Sequence, residues 1–270
     1  MSLPASDSGD RSGLSAHERR EHIARLVEDA HRASIADLTA RFGVSDASIR
    51  RDLILLEGAA RLRRVHGGAV SQGARLAAGA YATKLRLNRE QKTRIALAGA
   101  RLVRPGEVVL FDSGTTVAHL AARIPAALRA PNAITAVTYS LPVMDEIGSW
   151  EAPHLVVVGG LYLPEYRAFA GPQAIAGLRE LTADVIFLGC DGLTAEAGLT
   201  TPHVLIAEVG AAATARSRRV VALADSSKIG RQGFKTIVPI TDVDVLVTDT
   251  DADPRQIDEI RAAGVEVILA

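Results

Sequence analysis

Two short amphipathic segments that meet at a glycine constrain the fold of this chain more than any other stretch. Apolar residues recur at helical spacing on both sides of Gly43, which predicts two helices with one buried face each, formed by Ile35, Leu38 and Phe42 and then by Ile49, Leu53 and Leu56. Gly43 can adopt the left-handed conformation that ends a helix, and Ser45 is placed to cap the next one. This pattern predicts a helix-turn-helix.

The opposite face of the second helix carries small polar and basic residues. Together with the cap, the candidate DNA-contacting positions there are Ser45, Ala47, Ser48, Arg50 and Arg51. A helix of this kind can enter the major groove, where arginine meets guanine edges and phosphates. The alternative is a solvated helical hairpin without a nucleic-acid partner.

A basic ribbon follows the two helices. No acidic residue lies between Ala59 and Gly73, and a glycine turn between two short apolar stretches predicts a hairpin, the wing of a winged helix-turn-helix. Its candidate contacts with phosphates or the minor groove are Arg63, Arg64, His66 and Gly67. An arginine-rich surface loop is the alternative.

Three blocks in this region closely resemble the signature of the DeoR family of bacterial transcriptional regulators. They are Phe42-Gly43-Val44-Ser45, Ile49-Arg50-Arg51-Asp52-Leu53 and His66-Gly67-Gly68-Ala69. The resemblance implies binding to double-stranded operator DNA. Ser48 departs from the family pattern, which usually has threonine there, but it keeps the hydroxyl.

Length and composition bound the rest of the chain. At 270 residues and 48% hydrophobic, the chain can form a small domain and a larger one. Its formal net charge is zero, so any DNA binding depends on local arginines rather than on a global field. A single cysteine, no signal peptide and no membrane-length apolar run indicate a cytoplasmic protein without a membrane partner.

Beyond the wing, short apolar strands alternate with helical segments. This alternation predicts an α/β fold with a doubly wound parallel sheet. The expected domains are a disordered tail at 1–15, the winged helix-turn-helix at 16–70, a linker at 71–94 and an effector-sensing domain at 95–270.

Polar loops follow several of the predicted strands, and ligands of open α/β sheets bind beyond the carboxyl ends of strands. The loop 112–116 combines a glycine with hydroxyl donors, which suits a phosphate, although an ordinary capped turn has the same composition. Lys228 is a natural cation for an anionic ligand, and Asp191 is a natural acceptor for sugar hydroxyls. The candidate effector-binding residues are Asp112, Ser113, Gly114, Thr115, Thr116, Tyr139, Gly160, Asp191 and Lys228.

The second domain resembles the DeoR sensor domain, including Gly198-Leu199-Thr200-Thr201 and Thr248-Asp249. That resemblance implies a fold related to the ribose-5-phosphate isomerase group and a phosphorylated sugar or derivative as effector. Tyr139, Gln91 and Lys84 stand where the family usually has Asn, Glu and Arg. Because Tyr139 borders the expected site, this departure leaves open an atypical effector or a narrower pocket.

These patterns predict a DNA-binding regulator, a repressor of a sugar or related catabolic operon that a phosphorylated sugar relieves. Activation rather than repression stays open at this point. A homo-oligomer, dimer or tetramer, is expected because one helix-turn-helix buries little DNA surface. The alternative is a sugar-phosphate isomerase-like enzyme with an accessory DNA-binding domain. The scattered histidines and the lone cysteine predict no metal site, and no cofactor is expected.

Overall fold

The computed structural model describes residues 15–30, 32–59, 61–65, 67–70 and 81–270, apart from the side chains of 28–30, 32, 63, 65 and 70. The chain divides into two compact units, Met1–Ala77 and Ala78–Ala270. Almost all of the predicted tail, the residues 71–80 of the predicted linker, His66 and the Arg63 side chain lie outside this description.

The first unit is a small helical domain with a three-stranded antiparallel sheet in the order β1–β3–β2. Its elements are α1 (Ala16–Ala30), β1 (Arg32–Ser34), α2 (Ile35–Phe42), α3 (Asp46–Gly58), β2 (Arg63–Val65) and β3 (Gly68–Val70). The predicted helix pair and the hairpin after it are confirmed. Strand β1 was not predicted, because three residues are too few to show a periodicity.

Backbone geometry explains the sharp turn between α2 and α3. Gly43 has a φ of 63°, and its N–H donates to the Thr39 carbonyl, which ends α2. Ser45 then caps α3, because its Oγ accepts from the Ser48 N–H at 3.3 Å. Both roles follow the prediction, and they place the start of α3 on the outside of the unit.

One buried core holds α1, α2 and α3 together. It contains the predicted stripes of both helices and two residues of α1, namely Ile35, Leu38, Phe42, Ile49, Leu53 and Leu56 with Ile23 and Val27. Asp52 is also buried, and its carboxylate accepts from Arg19 Nε at 2.7 Å and lies 3.6 Å from an Arg20 nitrogen. This ion pair joins α3 to α1, so the face of α3 opposite the exposed arginines is held by charge as well as by apolar packing.

The second unit is built around a seven-stranded parallel sheet in the order β15–β14–β12–β9–β4–β5–β6. Residues 81–86 are helical, and the remaining elements are α4 (Arg89–Ala100), β4 (Val108–Phe111), α5 (Thr115–Ala121), β5 (Thr135–Thr138), α6 (Leu141–Gly148), β6 (His154–Val157), β7 (Leu161–Leu163), β8 (Ala168–Ala170), α7 (Gly171–Arg179), β9 (Val185–Gly189), β10 (Gly192–Thr194), β11 (Gly198–Thr201), α8 (Val204–Thr214), β12 (Val220–Leu223), β13 (Lys235–Val238), β14 (Val245–Thr248), α9 (Pro254–Ala262) and β15 (Glu266–Leu269).

Successive residues of the central strands enter different cores. On β9, Ile186 and Leu188 pack with α7, α8 and α9, whereas Val185 and Phe187 pack with α4, α5 and α6. The sheet is therefore covered by helices on both faces, and the predicted doubly wound α/β architecture is confirmed.

Two features differ from the expected organisation. The small sheets β7–β8 and β10–β11–β13 were not predicted, because their strands are only three or four residues long. The stretch expected as a linker, 71–94, includes helical residues 81–86 and the first turns of α4, and residues from Ala78 onward belong to the second unit. Burial of Lys92 within α4 explains why this charged segment is part of a compact unit.

The Asp52 ion pair predicts a local loss of stability. Asp52→Ala should lower the free energy of unfolding of the first unit by about 1.5–3 kcal/mol, as expected for lost hydrogen bonds to a charged group. Hydrogen exchange of the full-length chain would show faster exchange in residues 16–58 and unchanged exchange in 81–270. Asp46→Ala is the control, because its ion pair with Arg50 is 60% exposed on both sides and contributes at most about 1 kcal/mol. Equal effects of the two substitutions would contradict the prediction.

Candidate functional site

The exposed face of α3 presents most of the residues expected to contact DNA. Ser45, Ala47, Arg50 and Arg51 are exposed, and Ser48 is half-buried against the Ser45 hydroxyl at 3.1 Å. Arg50 lies 3.5 Å from Asp46, whereas Arg51 has no ion pair within the described part of the chain. Arg51 is therefore the arginine of this face that is available to a base edge.

The hairpin beside α3 has the shape expected of a wing, and Arg64, the arginine of β2 whose side chain is described, has an acidic partner, as does Arg61 just before the hairpin. Arg64 donates through Nε to Glu57 Oε2 at 2.6 Å and through its backbone N–H to Glu57 Oε1 at 2.8 Å. Arg61 forms a two-pronged ion pair with Glu21. Gly67, at a φ of 79°, forms the exposed turn of the hairpin. Among the described residues only the Nε of the Arg64 guanidinium has an acceptor, so its Nη groups can still reach a phosphate while Glu57 stays in place.

In the second unit, a cleft opens at the carboxyl ends of three neighbouring strands, β4, β9 and β12. Its volume is about 790 Å³, including space open to solvent. The loops after these strands meet because parallel neighbours all end at the same edge of a sheet. The cleft brings together most of the predicted effector residues, namely Asp112, Ser113, Gly114, Thr115, Thr116, Asp191 and Lys228.

Two predicted effector residues lie outside the cleft lining. Tyr139 is fully buried behind it, and its hydroxyl donates to Asp112 Oδ1 at 2.5 Å. Gly160 lies next to the β8–α7 junction, where an added Cβ would approach the Ala170 carbonyl oxygen to 2.6 Å. Tyr139 therefore supports Asp112 from behind the cleft, and Gly160 is a glycine for reasons of packing, because a side chain there would collide with the Ala170 carbonyl.

Asp112 links the ends of neighbouring strands. Its Oδ1 accepts from Tyr139 after β5, and its Oδ2 accepts from the Gly189 N–H at the end of β9 at 2.8 Å. Burial raises the pKa of the Asp112 carboxyl, and the hydrogen bonds from Tyr139 and Gly189 oppose that rise. Both carboxylate oxygens are thus engaged, so Asp112 shapes the cleft more than it offers a free acceptor.

Two buried polar groups of the cleft lining are available to a polar ligand. Ser113 Oγ and the Tyr81 hydroxyl are buried cleft-lining atoms without a well-aligned hydrogen-bond partner among the described residues, and Ser113 has at most a weak interaction with the neighbouring Asp112 carboxyl. Thr115 and Thr116 add two hydroxyls beside Ser113. A buried donor without a partner is costly, so a polar ligand that accepts from these hydroxyls would remove that cost.

The opposite wall contains charged residues. Asp191 accepts from Lys84 Nζ at 3.2 Å through Oδ1 and from Thr201 Oγ1 at 2.9 Å through Oδ2. The Lys84 ammonium also lies 5.6 Å from the ring centroid of Tyr166, whose pKa burial raises to about 12. Lys228 has no ion pair within the described residues and is the readily available cation of this wall.

Sequence reasoning missed several cleft residues, above all Tyr81, Asn88, Lys92, Tyr166, Thr201 and Asp225. Asn88 and Lys92 lie in the charged stretch that reads as a linker. The signal that could have found Lys92 is its spacing, because it precedes Ile95 and Ala96 by three and four residues on the buried face of α4.

Among the described residues, no group of three or more His, Cys, Asp or Glu side chains could hold a metal ion. No described helix is long and apolar enough to span a bilayer.

Comparison with known proteins identifies the chain. Residues 19–74 match the DeoR-like helix-turn-helix domain, and residues 87–250 match the DeoR C terminal sensor domain. The protein belongs to the DeoR family. Both domains occur in the order that the sequence predicts.

Named DeoR-family relatives match nearly their whole length. The regulator GlpR of Haloferax volcanii is 34% identical over 93% of this chain and 96% of its own length. The transcriptional repressor AccR of Agrobacterium fabrum is 33% identical over 87% and 90%, and the repressor GlcR of Bacillus subtilis is 27% identical over 93% and 95%. All three are named as regulators of transcription, which points to a non-enzyme.

Among solved structures, ribose 5-phosphate isomerase A of Methanocaldococcus jannaschii is similar over 52% of this chain and 54% of its own. The identity is 20% and the TM-score is 0.40. The similarity is low, and nothing about ligands follows from it.

The Tyr139–Asp112 hydrogen bond predicts a stability change that depends on pH. Tyr139→Phe removes a donor to a buried carboxyl and should lower the free energy of unfolding of the second unit by about 1.5–3 kcal/mol at neutral pH. Chemical denaturation of the full-length chain, followed by a probe in 81–270, measures this. Tyr162→Phe, at a tyrosine that is 40% exposed, is the matched control and should be neutral.

The sign of the pH dependence follows from the raised pKa of Asp112. The folded protein binds this proton more tightly than the unfolded chain, so stability falls as pH rises from the ordinary value of 3.8 through the raised pKa. Loss of the phenol donor raises that pKa further. The loss of unfolding free energy in Tyr139→Phe should therefore be larger above this pH interval than below it. A loss that does not depend on pH would contradict a hydrogen bond from Tyr139 to the Asp112 carboxyl.

Proposed function

We propose that this DeoR-family regulator represses a sugar or related catabolic operon, and that a phosphorylated sugar or derivative bound in the cleft releases it from operator DNA. The observation that carries the proposal is the pairing of loop 113–116 with Lys228 in one cleft. Buried hydroxyls and an ammonium without an ion pair are the groups that a phosphate needs.

The carboxylates of the cleft do not cancel this preference. Asp112 is engaged by Tyr139 and Gly189, and Asp191 by Lys84 and Thr201. Asp225 accepts from Asn88 Nδ2 at 3.0 Å and from Ser227. None of these three acids, nor Glu165, the fourth carboxylate of the cleft lining, forms an ion pair with Lys228 among the described residues, so its ammonium remains for the phosphate. Asp191, at the less buried end, is suited to accept from sugar hydroxyls.

Repression is supported by the names of two relatives, AccR and GlcR, which are called repressors. A repressor of this kind binds operator DNA with the exposed face of α3 in the major groove. We further propose a homo-oligomer, dimer or tetramer, because two half-sites about one helical turn apart supply affinity that a single helix-turn-helix lacks.

Arg51 should determine operator specificity. Arg51→Ala should lose about 1–3 kcal/mol of discrimination between operator and random duplex, as expected for one good base contact. The operator is first selected from random duplexes with the wild-type protein, and affinities are then measured at fixed salt. Arg25→Ala is the control, because Arg25 is exposed on α1 outside the proposed face. Unchanged discrimination in Arg51→Ala would remove this residue from base reading.

The effector class is tested by titration of operator binding. Pentose and hexose phosphates are compared with the same sugars without phosphate, and an active compound should weaken operator affinity about 5–150-fold, the usual range of allosteric coupling. Lys228→Ala should bind operator normally and lose this response.

Lys235→Ala, an exposed lysine at the start of β13, is the matched control and should respond like the wild type. A full response in Lys228→Ala would exclude Lys228 from the site. If no sugar phosphate weakens operator binding by the wild type, the proposed effector class is wrong.

A further inference from the structure

Lys92 is a buried lysine of the cleft, and it is not among the effector-binding residues predicted from the sequence. It is 3% exposed, and its Nζ donates to the Lys84 carbonyl at 2.5 Å and to the Leu87 carbonyl at 2.7 Å. An ammonium has three protons, so these bonds leave one donor. The side chain lines the cleft, which is where that donor can find an acceptor.

The carbonyls that Lys92 holds belong to residues 81–88, here called the entry segment. This segment follows directly on residues 71–80 and is the first described part of the second unit. It has three further polar anchors, because Lys84 bonds Asp191, the Leu85 carbonyl meets His119 Nε2 at 3.2 Å, and Asn88 bonds Asp225. Most of what holds the entry segment therefore belongs to the cleft wall.

The charges around Lys92 favour an anion. Burial lowers the pKa of the Lys92 ammonium, and Lys84 and Lys228 lower it further, while Asp225 opposes them. Three lysines and four carboxylates thus line the cleft, and the repulsion of Lys92 by Lys84 and Lys228 is offset in part by Asp225. An anionic group placed among the lysines would relieve that repulsion and stabilise the charged form of Lys92.

We propose that Lys92 is a second cation of the effector site, which donates its third proton to the anionic group of the effector and thereby tightens the entry segment onto the second unit. This inference rests on the proposed function, because it assumes an anionic effector. Lys92 would then have two roles: it binds the anionic group of the effector, and it holds the entry segment, which continues along the chain to the first unit. A purely structural clamp would hold the entry segment equally well with and without an anion.

The test combines phosphate binding with hydrogen exchange in the full-length protein. Inorganic phosphate is the probe, its binding is read from broadening of the ³¹P signal, and exchange is followed for residues 84–88, where the Leu87 N–H bonds the Thr83 carbonyl. The variants are Lys92→Met, which loses every donor, and Lys92→Gln, which keeps an amide donor but no charge. Lys235→Met is the control on β13, outside the cleft lining.

In the wild type, phosphate should broaden the signal and slow exchange in 84–88. Without phosphate, Lys92→Met should exchange about tenfold faster there, since its bonds to two carbonyls are lost. Its phosphate response should be lost as well. Lys92→Gln should keep part of the protection and lose the phosphate response, and Lys235→Met should behave as the wild type.

The outcomes separate this inference from the proposed function. Phosphate broadening and slowed exchange that persist in Lys92→Met would overturn the role of Lys92 and leave the effector class intact. If Lys92→Met fails to fold, an undiminished phosphate response in Lys92→Gln has the same meaning. A wild-type protein that shows no response to phosphate would overturn the anionic effector and this inference with it.

Discussion

The cleft depends on one buried carboxylate. Asp112 joins the ends of β5, β4 and β9, because it accepts from a tyrosine after β5 and from a backbone N–H at the end of β9. A buried carboxyl is tolerated only when hydrogen bonds satisfy it, so Tyr139 and Gly189 are required partners. The loop 113–116 starts at this fixed point. Its hydroxyls therefore face the cleft at defined positions without being bound to the protein themselves.

The sequence predicts the framework of both units well, and the reasons are local. Strands β4 and β12 are continuous apolar runs in the sequence, and such runs mark the buried strands of a parallel sheet. The side chains at strand ends are harder to predict. Tyr139 follows β5 as expected, but whether it points into the cleft or beneath it depends on the packing of β4. The partner that decides this, Asp112, is 27 residues away.

Charge pairing is the other part that the sequence does not predict. The wing contains no acidic residue of its own, yet Arg64 meets Glu57, which α3 supplies from seven positions earlier. Lys92 shows the reverse case. A lysine in a charged run is usually solvated. Here the buried Lys92 ammonium instead donates to the backbone carbonyls of Lys84 and Leu87. In both cases the partner is set by how the backbone folds back on itself, which the residue types alone do not reveal.

The same pairing explains how a chain with zero net charge can recognise DNA selectively. In the first unit Arg19, Arg61 and Arg64 each have a carboxylate partner, so the charge that these three residues present to phosphates is partly offset. The ion pairs differ in burial, and a buried pair indicates a structural arginine whereas an exposed pair leaves its arginine available to a ligand. Arg19 lies against the buried Asp52 and is structural, whereas the pair of Arg50 and Asp46 is 60% exposed on both sides and contributes little to stability. A phosphate can therefore replace Asp46 at small cost, while Arg51, without an ion pair in the described residues, needs no exchange at all. The described arginines at the start of α3 are therefore more readily available to DNA than Arg61 and Arg64, as the proposed role of this face requires.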